Sequence, residues 1–489
     1  MPQANTRVIR DVLHGDIELD ELDCGLVETK IFQRLRYVRQ NGISYLVYPS
    51  LNISRFEHSL GVFHVARNIA SAAIAGSEPT IKEAYLADLI EALPKELREG
   101  AGKPEDLFCR VARWYGLLHD IGHLPFSHLA EHCLQSQQEK IYPASKFSKL
   151  HESAGAFIVT NDEALRQALQ KDPAAAWLVS QLLSDKLANP VLQPLKDIVD
   201  SDVDADRIDA TARDGLLSGS EFGHYDSERL TRHAVIVKQD ERKWRVLFTT
   251  RAVSAIESLL VERCNTYRWI HYHHKVAAFA NAFRHALTHI NPAIEQFRAD
   301  NYVDKKGYLD DSKLFAMLGS LTDGPEHVAC ARDAILWRSK TAHPLWKRRD
   351  EFRRLSGEVA EGKGELEEFE KTGLALNKLA NDVQEVEQKL NEGLDDSIRF
   401  LASKLQLDPF ESSKFDDHIG KYMIVEHRSG RIMPITQESR MIRSLNEVVK
   451  GEPAFAVSVV ASDENFKKRH EELIESFRQV ARQMLVEAA

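Results

Sequence analysis

Residues 59–290 carry apolar side chains at three- and four-residue intervals, and this periodicity constrains the possible folds more than any other feature of the chain. In segment 107–118 the interval produces one apolar stripe, made of Leu107, Val111, Trp114 and Leu118. A helix with such a stripe buries it against neighbouring helices. A clear strand pattern interrupts the helices only in a predicted hairpin of 234–238 with 242–249. We therefore predict a mainly α-helical protein with an all-helical core.

The part of the chain after this core differs in composition. Glu, Lys, Arg and Leu dominate residues 351–398, and leucines and valines recur there at helical intervals. This pattern predicts a charged helical hairpin or short coiled coil. The strands expected beyond residue 405 are at 421–426, 431–435 and 455–460, and the helices are at 439–450 and 464–487.

These patterns predict three parts. The first is a catalytic domain at 1–290, the second a helical extension with the charged hairpin at 291–400, and the third a small α+β region at 401–489. We expect the third part to serve regulation or oligomerisation.

The composition excludes several classes of protein. The 489 residues are 43% hydrophobic and 28% charged, as in an ordinary globular protein, and the net charge of -10 argues against a surface that binds nucleic acid throughout. The five cysteines are odd in number and lack CxxC spacing, which favours free thiols in a reducing compartment. The chain has neither a signal peptide pattern nor an apolar run long enough to span a membrane, so the expected location is the cytoplasm.

Four residues in three separate segments have the chemistry of a metal site. His119 and Asp120 lie side by side at the end of the apolar helix 107–118, His58 lies upstream, and Asp206 lies in an Asp-rich helix downstream. Two imidazole nitrogens and two carboxylate oxygens suit a transition metal and leave positions open for water and phosphate. We expect Mn, Fe, Ni or Zn at this site, with Mg²⁺ on a substrate triphosphate.

Further titratable and cationic residues follow the same segments. Imidazoles titrate near neutrality and can transfer a proton to a leaving oxygen, which makes His123, His128 and His151 beside Glu152 candidate catalytic residues. Arginine side chains match phosphate oxygens, which makes Arg55, Arg207 and Arg263 candidate phosphate ligands.

The motifs that contain these residues are Arg55-Phe-Glu-His-Ser-Leu-Gly61, His119-Asp-Ile-Gly-His-Leu-Pro-Phe-Ser-His128, His151-Glu152 and Asp204-Ala-Asp-Arg-Ile-Asp209. In this order and with these neighbours, they resemble the HD-domain deoxynucleoside triphosphate triphosphohydrolases, which include bacterial dGTPases and the vertebrate sterile-alpha-motif HD protein. The opening segments 11–19 and 32–40 resemble the same family. The resemblance is dense over residues 7–275 and is traceable to the C-terminal region.

The resemblance implies hydrolysis of a dNTP to a deoxynucleoside and inorganic triphosphate. It assigns the metal to His58, His119, Asp120 and Asp206, and catalysis to His123, His128, His151 and Glu152, with His128 as the candidate general acid for the 5′ oxygen. It assigns contacts with the sugar and phosphates to Gln40, Arg55, Arg207, Asp214, Arg263 and Tyr272.

The resemblance also implies regulation. Members of the family form tetramers or hexamers and respond to nucleotides bound at subunit interfaces. The residues at positions that resemble the guanine-nucleotide activator site are Arg7, Glu28, Gln33 and Arg36. Control of nucleotide pools and defence against phage by dNTP depletion are both compatible settings.

Two positions depart from the family pattern. Ala210 stands where the family usually has tyrosine, and Asn41 stands where relatives have an apolar residue that crowds the 2′ position of the sugar. These departures leave a second reading open, an HD phosphohydrolase that acts on ribonucleotides, modified nucleotides or nucleic-acid ends. A third reading is a nucleotide-sensing regulatory protein with a vestigial metal site, which the intact set of ligands disfavours.

Overall fold

The structure is a computed structural model that describes residues 6–134, 141, 149–184, 189–240, 243–290, 309–347, 351, 379–404, 422–450 and 455–486. Helices predominate over these residues and the sheets are small, so the prediction of a mainly α-helical protein is confirmed.

The helices of the first half are α1 (Glu21–Val27), α2 (Lys30–Gln33), α3 (Arg55–Gly76), α4 (Pro79–Ala92), α5 (Lys95–Arg98), α6 (Pro104–Leu118), α7 (His128–Leu134), α8 (Leu150–Asn161), α9 (Glu163–Leu169), α10 (Pro173–Leu182), α11 (Gln193–Val199), α12 (Ala205–Ser218) and α13 (Ser227–Thr231). Those of the second half are α14 (Val253–Thr266), α15 (His274–Thr288), α16 (Asp311–Gly319), α17 (Glu326–Leu336), α18 (Val383–Asn391), α19 (Arg440–Lys450) and α20 (Asp463–Val486).

Helix α3 lies at the centre of the fold. It begins at a capping box in which Ser54 and Glu57 satisfy each other's backbone N–H groups. Its most extensive packing is against α6, and it also contacts α12. The backbones of α3 and α6 approach closely at Gly116, because a Cβ there would lie 3.1 Å from the Ala66 Cβ and from the Val62 carbonyl oxygen. This packing brings the start of α3, the end of α6 and the start of α12 together.

The strands are β1 (Arg7–Asp11), β2 (Gly15–Leu19), β3 (Ala234–Asp240), β4 (Lys243–Phe248), β5 (Ala342–Pro344), β6 (Ile398–Lys404), β7 (Met423–Val425), β8 (Ile432–Pro434) and β9 (Phe455–Ala461). Antiparallel pairs join β1 to β2, β3 to β4 and β7 to β8, and a three-stranded antiparallel sheet has the order β5-β9-β6. The expected hairpin at 234–249 is present, as are the strands and helices expected beyond residue 421. Strands β5 and β6 were not predicted.

The predicted charged hairpin lies largely outside the described residues, which omit 352–378. Its last part forms helix α18, whose Val386 and Leu390 are buried. The division into parts at 290 and 400 stays a prediction, although one hydrophobic cluster contains residues from both sides of these boundaries, such as Phe283, Leu314 and Ile424. Within the described segments, no helix has the length and apolarity needed to cross a membrane.

Candidate metal centre and active site

His119 is the residue at the C-terminal end of α6. The helix ends at Leu118, the end that the apolar stripe suggested, and His119 is its C-cap residue. The His119 backbone N–H still donates to the carbonyl of Tyr115, and its side-chain Nδ1 lies 2.8 Å from the Gly116 carbonyl oxygen. Because Nδ1 donates to a carbonyl, the Nε2 lone pair points the other way, toward α3 and α12.

The four predicted ligands converge at this point. Nε2 of His58 lies 2.9 Å from Oδ1 of Asp206 and 3.6 Å from Oδ2 of Asp120. Nε2 of His119 lies 3.3 Å from Oδ1 of Asp120 and 3.8 Å from Oδ1 of Asp206. Yet Nε2 of His119 is buried and makes no hydrogen bond with a described residue. An orphaned imidazole nitrogen beside two carboxylates fits a divalent metal, because neutral imidazole and carboxylate oxygen are ligands that such ions accept.

The charges around this quartet favour ionised carboxylates. Burial alone would raise the pKa of Asp120, but the guanidinium of Arg55 and the nearby His119 hold it well below its usual range. The neighbouring rings of His119 and His58 likewise hold the pKa of Asp206 well below its usual range, against the effect of burial. Burial lowers the pKa of His58, but hydrogen bonds to Asp206 and Asp209 outweigh this effect and raise it to about 10. Both carboxylates are therefore ionised, the form in which they can act as metal ligands.

Arg55 contacts the quartet from the first turn of α3. Its side chain is buried, pairs with Asp120 through Nη1, and donates through Nε to the Ser127 hydroxyl at 2.8 Å. Ser127 and the preceding Phe126 both have left-handed backbone conformations, with φ of 54° and 57°. This turn is held by Asp311 of α16, which accepts a hydrogen bond from the Phe126 N–H at 2.7 Å. The turn ends where α7 begins, at His128.

A second cluster, which we call the relay cluster, consists of His123, His128, His151 and Glu131. The Glu131 carboxylate is buried and lies 2.9 Å from Nδ1 of His151 and 3.0 Å from Nδ1 of His128. The rings of His123 and His151 stack at 4.1 Å, and Nε2 of His123 lies 3.1 Å from Oδ1 of Asp120. The relay cluster therefore touches the metal quartet directly.

The residues of the relay cluster shift one another's pKa values. Burial raises the pKa of Glu131, but His151 and His128 reverse this and hold it far below its usual value. Burial lowers the pKa of His128 to about 4 and that of His123 well below its usual range. Glu131 was not predicted, because its pairing with His128 three residues earlier becomes evident only once a helix is known to begin at His128.

The quartet and the relay cluster open into a cavity of about 1530 Å³. The predicted catalytic Glu152 lines it, with its carboxylate 3.6 Å from Nζ of Lys149. The side chains of Asp206 and His128 are 41% and 45% exposed because they face this space. Of the predicted substrate contacts, those that line the cavity are Gln40, Arg55, Arg207, Asp214 and Arg263.

Tyr272 is not among the described residues that line the cavity, whereas Tyr267 and His271 are. Nε2 of His271 lies 3.0 Å from Oδ2 of Asp214. The chain forms one π-helical turn over Tyr267–His271, and both ends of this turn line the cavity.

The two positions that depart from the family pattern also lie in this wall. Asn41 donates through Nδ2 to Oδ1 of Asp214 at 2.6 Å, and Ala210 lines the cavity on α12. Asp214 thus accepts hydrogen bonds from two sides, from Asn41 and from His271.

The four predicted effector residues form two pairs away from the cavity. Arg7 on β1 binds Glu28 at 2.6 Å, and both side chains are more than half exposed. Arg36 donates to Oε1 of Gln33 at 2.7 Å and lies over the ring of Phe56, 3.5 Å from its centre. None of the four is among the described residues that line the cavity.

Comparison with known proteins agrees with this geometry. Residues 55–214 match the model of the HD domain. The chain is 32% identical over 267 residues to the uncharacterized protein MJ1154 of Methanocaldococcus jannaschii, a match that covers 55% of this chain and 46% of that protein. It is 28% identical over 302 residues to YwfO of Bacillus subtilis, covering 61% of this chain and 58% of that protein. The chain spans about half the length of these curated relatives.

The human deoxynucleoside triphosphate triphosphohydrolase SAMHD1 is also similar, at 39% identity over 125 residues, which is 25% of this chain and 16% of that protein. Among solved structures, a hypothetical protein of Aquifex aeolicus matches with a TM-score of 0.63 and 20% identity over 96% of this chain and 99% of that one. A phosphohydrolase of Bacteroides thetaiotaomicron matches with a TM-score of 0.59 and 18% identity over 94% of this chain and 100% of that one. At these identities the structural matches establish a shared fold only.

Proposed function

We propose that this chain, an HD-domain protein with deoxynucleoside triphosphate triphosphohydrolases among its relatives, is a metal-dependent phosphohydrolase that cleaves dNTPs into deoxynucleoside and inorganic triphosphate. The observation that carries the proposal is the orphaned Nε2 of His119, which lies among His58, Asp120 and Asp206 at the floor of the cavity. Two carboxylates, one of them buried, and two imidazoles thus turn their oxygens and ring nitrogens toward one point, which is the arrangement of a metal site.

The four ligands and the cavity divide the work of hydrolysis. A divalent transition metal bound by His58, His119, Asp120 and Asp206 would polarise a phosphoryl oxygen and lower the pKa of a bound water toward about 7. The protein supplies the remaining tasks. Arg207 and Arg263 line the cavity wall, where their positive charge would offset the negative charge of a triphosphate.

The relay cluster supplies the proton that the leaving 5′ oxygen accepts. Glu131 fixes the rings of His128 and His151 through hydrogen bonds to their Nδ1 atoms, which leaves Nε2 of each ring available. Burial keeps the pKa of His128 at about 4 without substrate. An entering triphosphate raises this pKa because a nearby anion stabilises the imidazolium, so His128 gains the proton it donates.

The product analysis tests this proposal most directly. Metal-loaded protein is incubated with each of the four dNTPs and four NTPs in water enriched in oxygen-18, and the products are separated by chromatography. We expect deoxynucleoside and triphosphate, with the label in the triphosphate because water attacks the α-phosphorus and the bond to the 5′ oxygen breaks. A nucleoside monophosphate with pyrophosphate, or label in the nucleoside, contradicts the proposal.

A second candidate function is favoured by Asn41 and Ala210. Asn41 carries a polar amide, bound to Asp214, where an apolar side chain would exclude a 2′ hydroxyl, and Ala210 leaves the cavity wall without a large ring. Both features make room for a ribonucleotide, a modified nucleotide or a nucleic-acid end. In the same experiment, turnover of an NTP equal to that of the matching dNTP would favour this alternative.

Regulation by a nucleotide effector and assembly into a tetramer or hexamer complete the proposal. Its support is two pairs outside the cavity, Arg7 with Glu28 and Arg36 with Gln33, each of which places a cationic side chain beside a group able to accept hydrogen bonds. A ligand at an interface stabilises whichever assembly binds it better. Turnover and mass in solution, measured with and without GTP, dGTP or dTTP and again in Arg36→Ala, test this part. Unchanged mass and effector-independent turnover in both proteins would remove it.

A further inference from the structure

Behind His58, on the side away from the cavity, lies a buried network of charged residues. Asp209 on α12 is fully buried, and its Oδ2 lies 2.8 Å from Nδ1 of His58. Arg213, one turn later on the same helix, donates to both carboxylate oxygens of Asp209 at 2.9 and 2.8 Å. His14 reaches the remaining side of the carboxylate, with Nε2 2.7 Å from Oδ1.

A second carboxylate holds Arg213 in place. Asp11, at the end of β1, accepts from Arg213 Nη1 at 2.9 Å and from Nη2 at 3.2 Å. Asp11 is itself fixed by the backbone N–H groups of Leu13 and His14, both at 2.9 Å from its Oδ1. The described residues that line the cavity include none of Asp11, Asp209 and Arg213. The network therefore cannot contact a substrate in that space directly.

The fold makes room for this network at one position. A Cβ placed on Gly61 of α3 would lie 1.9 Å from Oδ1 of Asp209 and 2.6 Å from Nη2 of Arg213. Because these are tightly bound buried groups, any side chain at 61 would displace them. Gly61 lies one turn after His58, so the absence of a side chain there lets the carboxylate reach the histidine from behind.

We infer that Asp209 is a positioning residue for the metal centre, held in turn by Arg213 and Asp11. A carboxylate accepting a hydrogen bond from Nδ1–H fixes the ring orientation of His58 and its tautomer, with the lone pair on Nε2. That nitrogen is the one that faces Asp120 and Asp206. The arrangement also makes the imidazole more basic and therefore a better ligand. The inference rests on the proposed metal centre and adds to it the N-terminal hairpin, through Asp11.

The test compares two buried aspartates that each pair with an arginine. Asp209→Asn keeps the shape of the side chain and removes its charge, and Arg213 keeps Asp11 as a partner. The matched control is Asp23→Asn, because Asp23 is equally buried and pairs with Arg113 but contacts none of the four ligands. Affinity for Mn²⁺ and Co²⁺ is measured by titration of the metal-free protein well below its melting temperature. The visible spectrum of the Co²⁺ form reports the coordination geometry.

We expect Asp209→Asn to weaken metal binding by about 10- to 100-fold and to alter the Co²⁺ spectrum. The control should bind with the affinity of the unsubstituted protein even where its melting temperature falls. If Asp209→Asn lowers only the melting temperature and leaves the affinity and spectrum unchanged, its role is structural and the inference is wrong.

Two further variants keep the outcome interpretable. Asp11→Asn removes the carboxylate charge that holds Arg213 and should weaken metal binding by less than Asp209→Asn. If Asp209→Asn does not fold, Asp11→Asn takes its place in the test. Unchanged affinity in a folded Asp11→Asn would then overturn the inference. His58→Ala tests the centre itself. If His58→Ala binds metal as tightly as the unsubstituted protein, the proposed function fails, whereas loss in His58→Ala with retention in Asp209→Asn contradicts only the positioning role.

Discussion

Two of the groups of histidines in the described residues differ in the side chains that surround them. The histidines of the metal quartet face carboxylates, and Nε2 of His58 lies 2.9 Å from Asp206. The other group, which we call the outer histidine cluster, consists of His285 on α15, His289 just after it, and His327 on α17. Nε2 of His285 lies 2.9 Å from Nδ1 of His327, and the rings of His285 and His289 are 4.8 Å apart. Among the described residues, no carboxylate accepts a hydrogen bond from the ring of His285.

This difference in partners determines the charge of the rings. Hydrogen bonds to two carboxylates overcome burial and raise the pKa of His58 to about 10. Burial, with His289, His327, Arg399 and Arg284 nearby, lowers the pKa of His285 to about 3. Closely packed histidines therefore do not by themselves indicate a metal site. The carboxylates among them decide whether a cation can be held there.

The largest effect that we predict follows from removing one carboxylate of the quartet. Asp206→Asn should abolish detectable hydrolysis and bound metal, because the amide cannot supply the charge that a divalent ion requires. His285→Gln in the outer histidine cluster should leave both unchanged. Metal content by elemental analysis and turnover of the preferred nucleotide check this pair. Full activity in a folded Asp206→Asn would remove the distinction between the two groups.

A smaller effect is expected in the relay cluster when its carboxylate is neutralised. Glu131→Gln makes this group of three histidines resemble the outer histidine cluster while leaving the four metal ligands intact. We expect turnover to fall by about 100-fold or more, the usual contribution of a positioned proton donor, while metal content stays constant. The measurement is steady-state kinetics on metal-loaded protein. A loss of metal in parallel with activity would instead place Glu131 among the ligands.

The outer histidine cluster should affect the free energy of unfolding and not the turnover. The folded pKa of His285, about 3, is below the value near 6.5 of an unfolded histidine, so its neutral form stabilises the fold above pH 6.5. That stabilisation is lost as the pH falls from 6.5 toward 3, at a slope of at most about 1.4 kcal/mol per pH unit for one proton. His285→Gln should therefore show a shallower fall in unfolding free energy between pH 6.5 and 5. Urea denaturation at several pH values measures this slope, and equal slopes would contradict the assignment.

The smallest effect on the fold is expected at the exposed pair of Arg7 and Glu28. Both side chains are largely in solvent, where an ion pair is screened and contributes little to stability. Arg7→Ala should leave the melting temperature unchanged and reduce only the response of turnover to added GTP or dGTP. Thermal denaturation and effector titration separate the two readouts. A clear loss of stability would show that this pair belongs to the folded core rather than to an effector site.

Most of the metal centre could be predicted from the sequence because its residue types are rare in that order. His58, His119, Asp120 and Asp206 lie in short motifs whose residue types and order are informative before the fold is known. The contacts among them could not be read locally, because they depend on how α3, α6 and α12 pack. The resemblance to a family supplied that step.

The features that were not predicted have physical causes that a local sequence pattern does not display. Glu131 follows a turn in which Phe126 and Ser127 are left-handed, and nothing in the sequence shows that α7 restarts at His128. Tyr272, a predicted substrate contact, is not among the described residues that line the cavity, whereas His271 of the π-helical turn is. Strand β6 was missed because it is defined by pairing with β9, a partner distant in the chain.

The turn before α7 depends on Asp311, a residue that is synthesised much later than the turn itself. Its carboxylate accepts the Phe126 N–H and also the backbone and side-chain N–H groups of Arg39, at 3.1 and 3.0 Å. A nascent chain that has emerged only as far as residue 290 already contains every ligand of the metal quartet and all of the relay cluster. It lacks the carboxylate that stabilises the left-handed turn joining them. The turn that joins the quartet to the relay cluster therefore lacks this hydrogen bond until α16 has been synthesised and has docked.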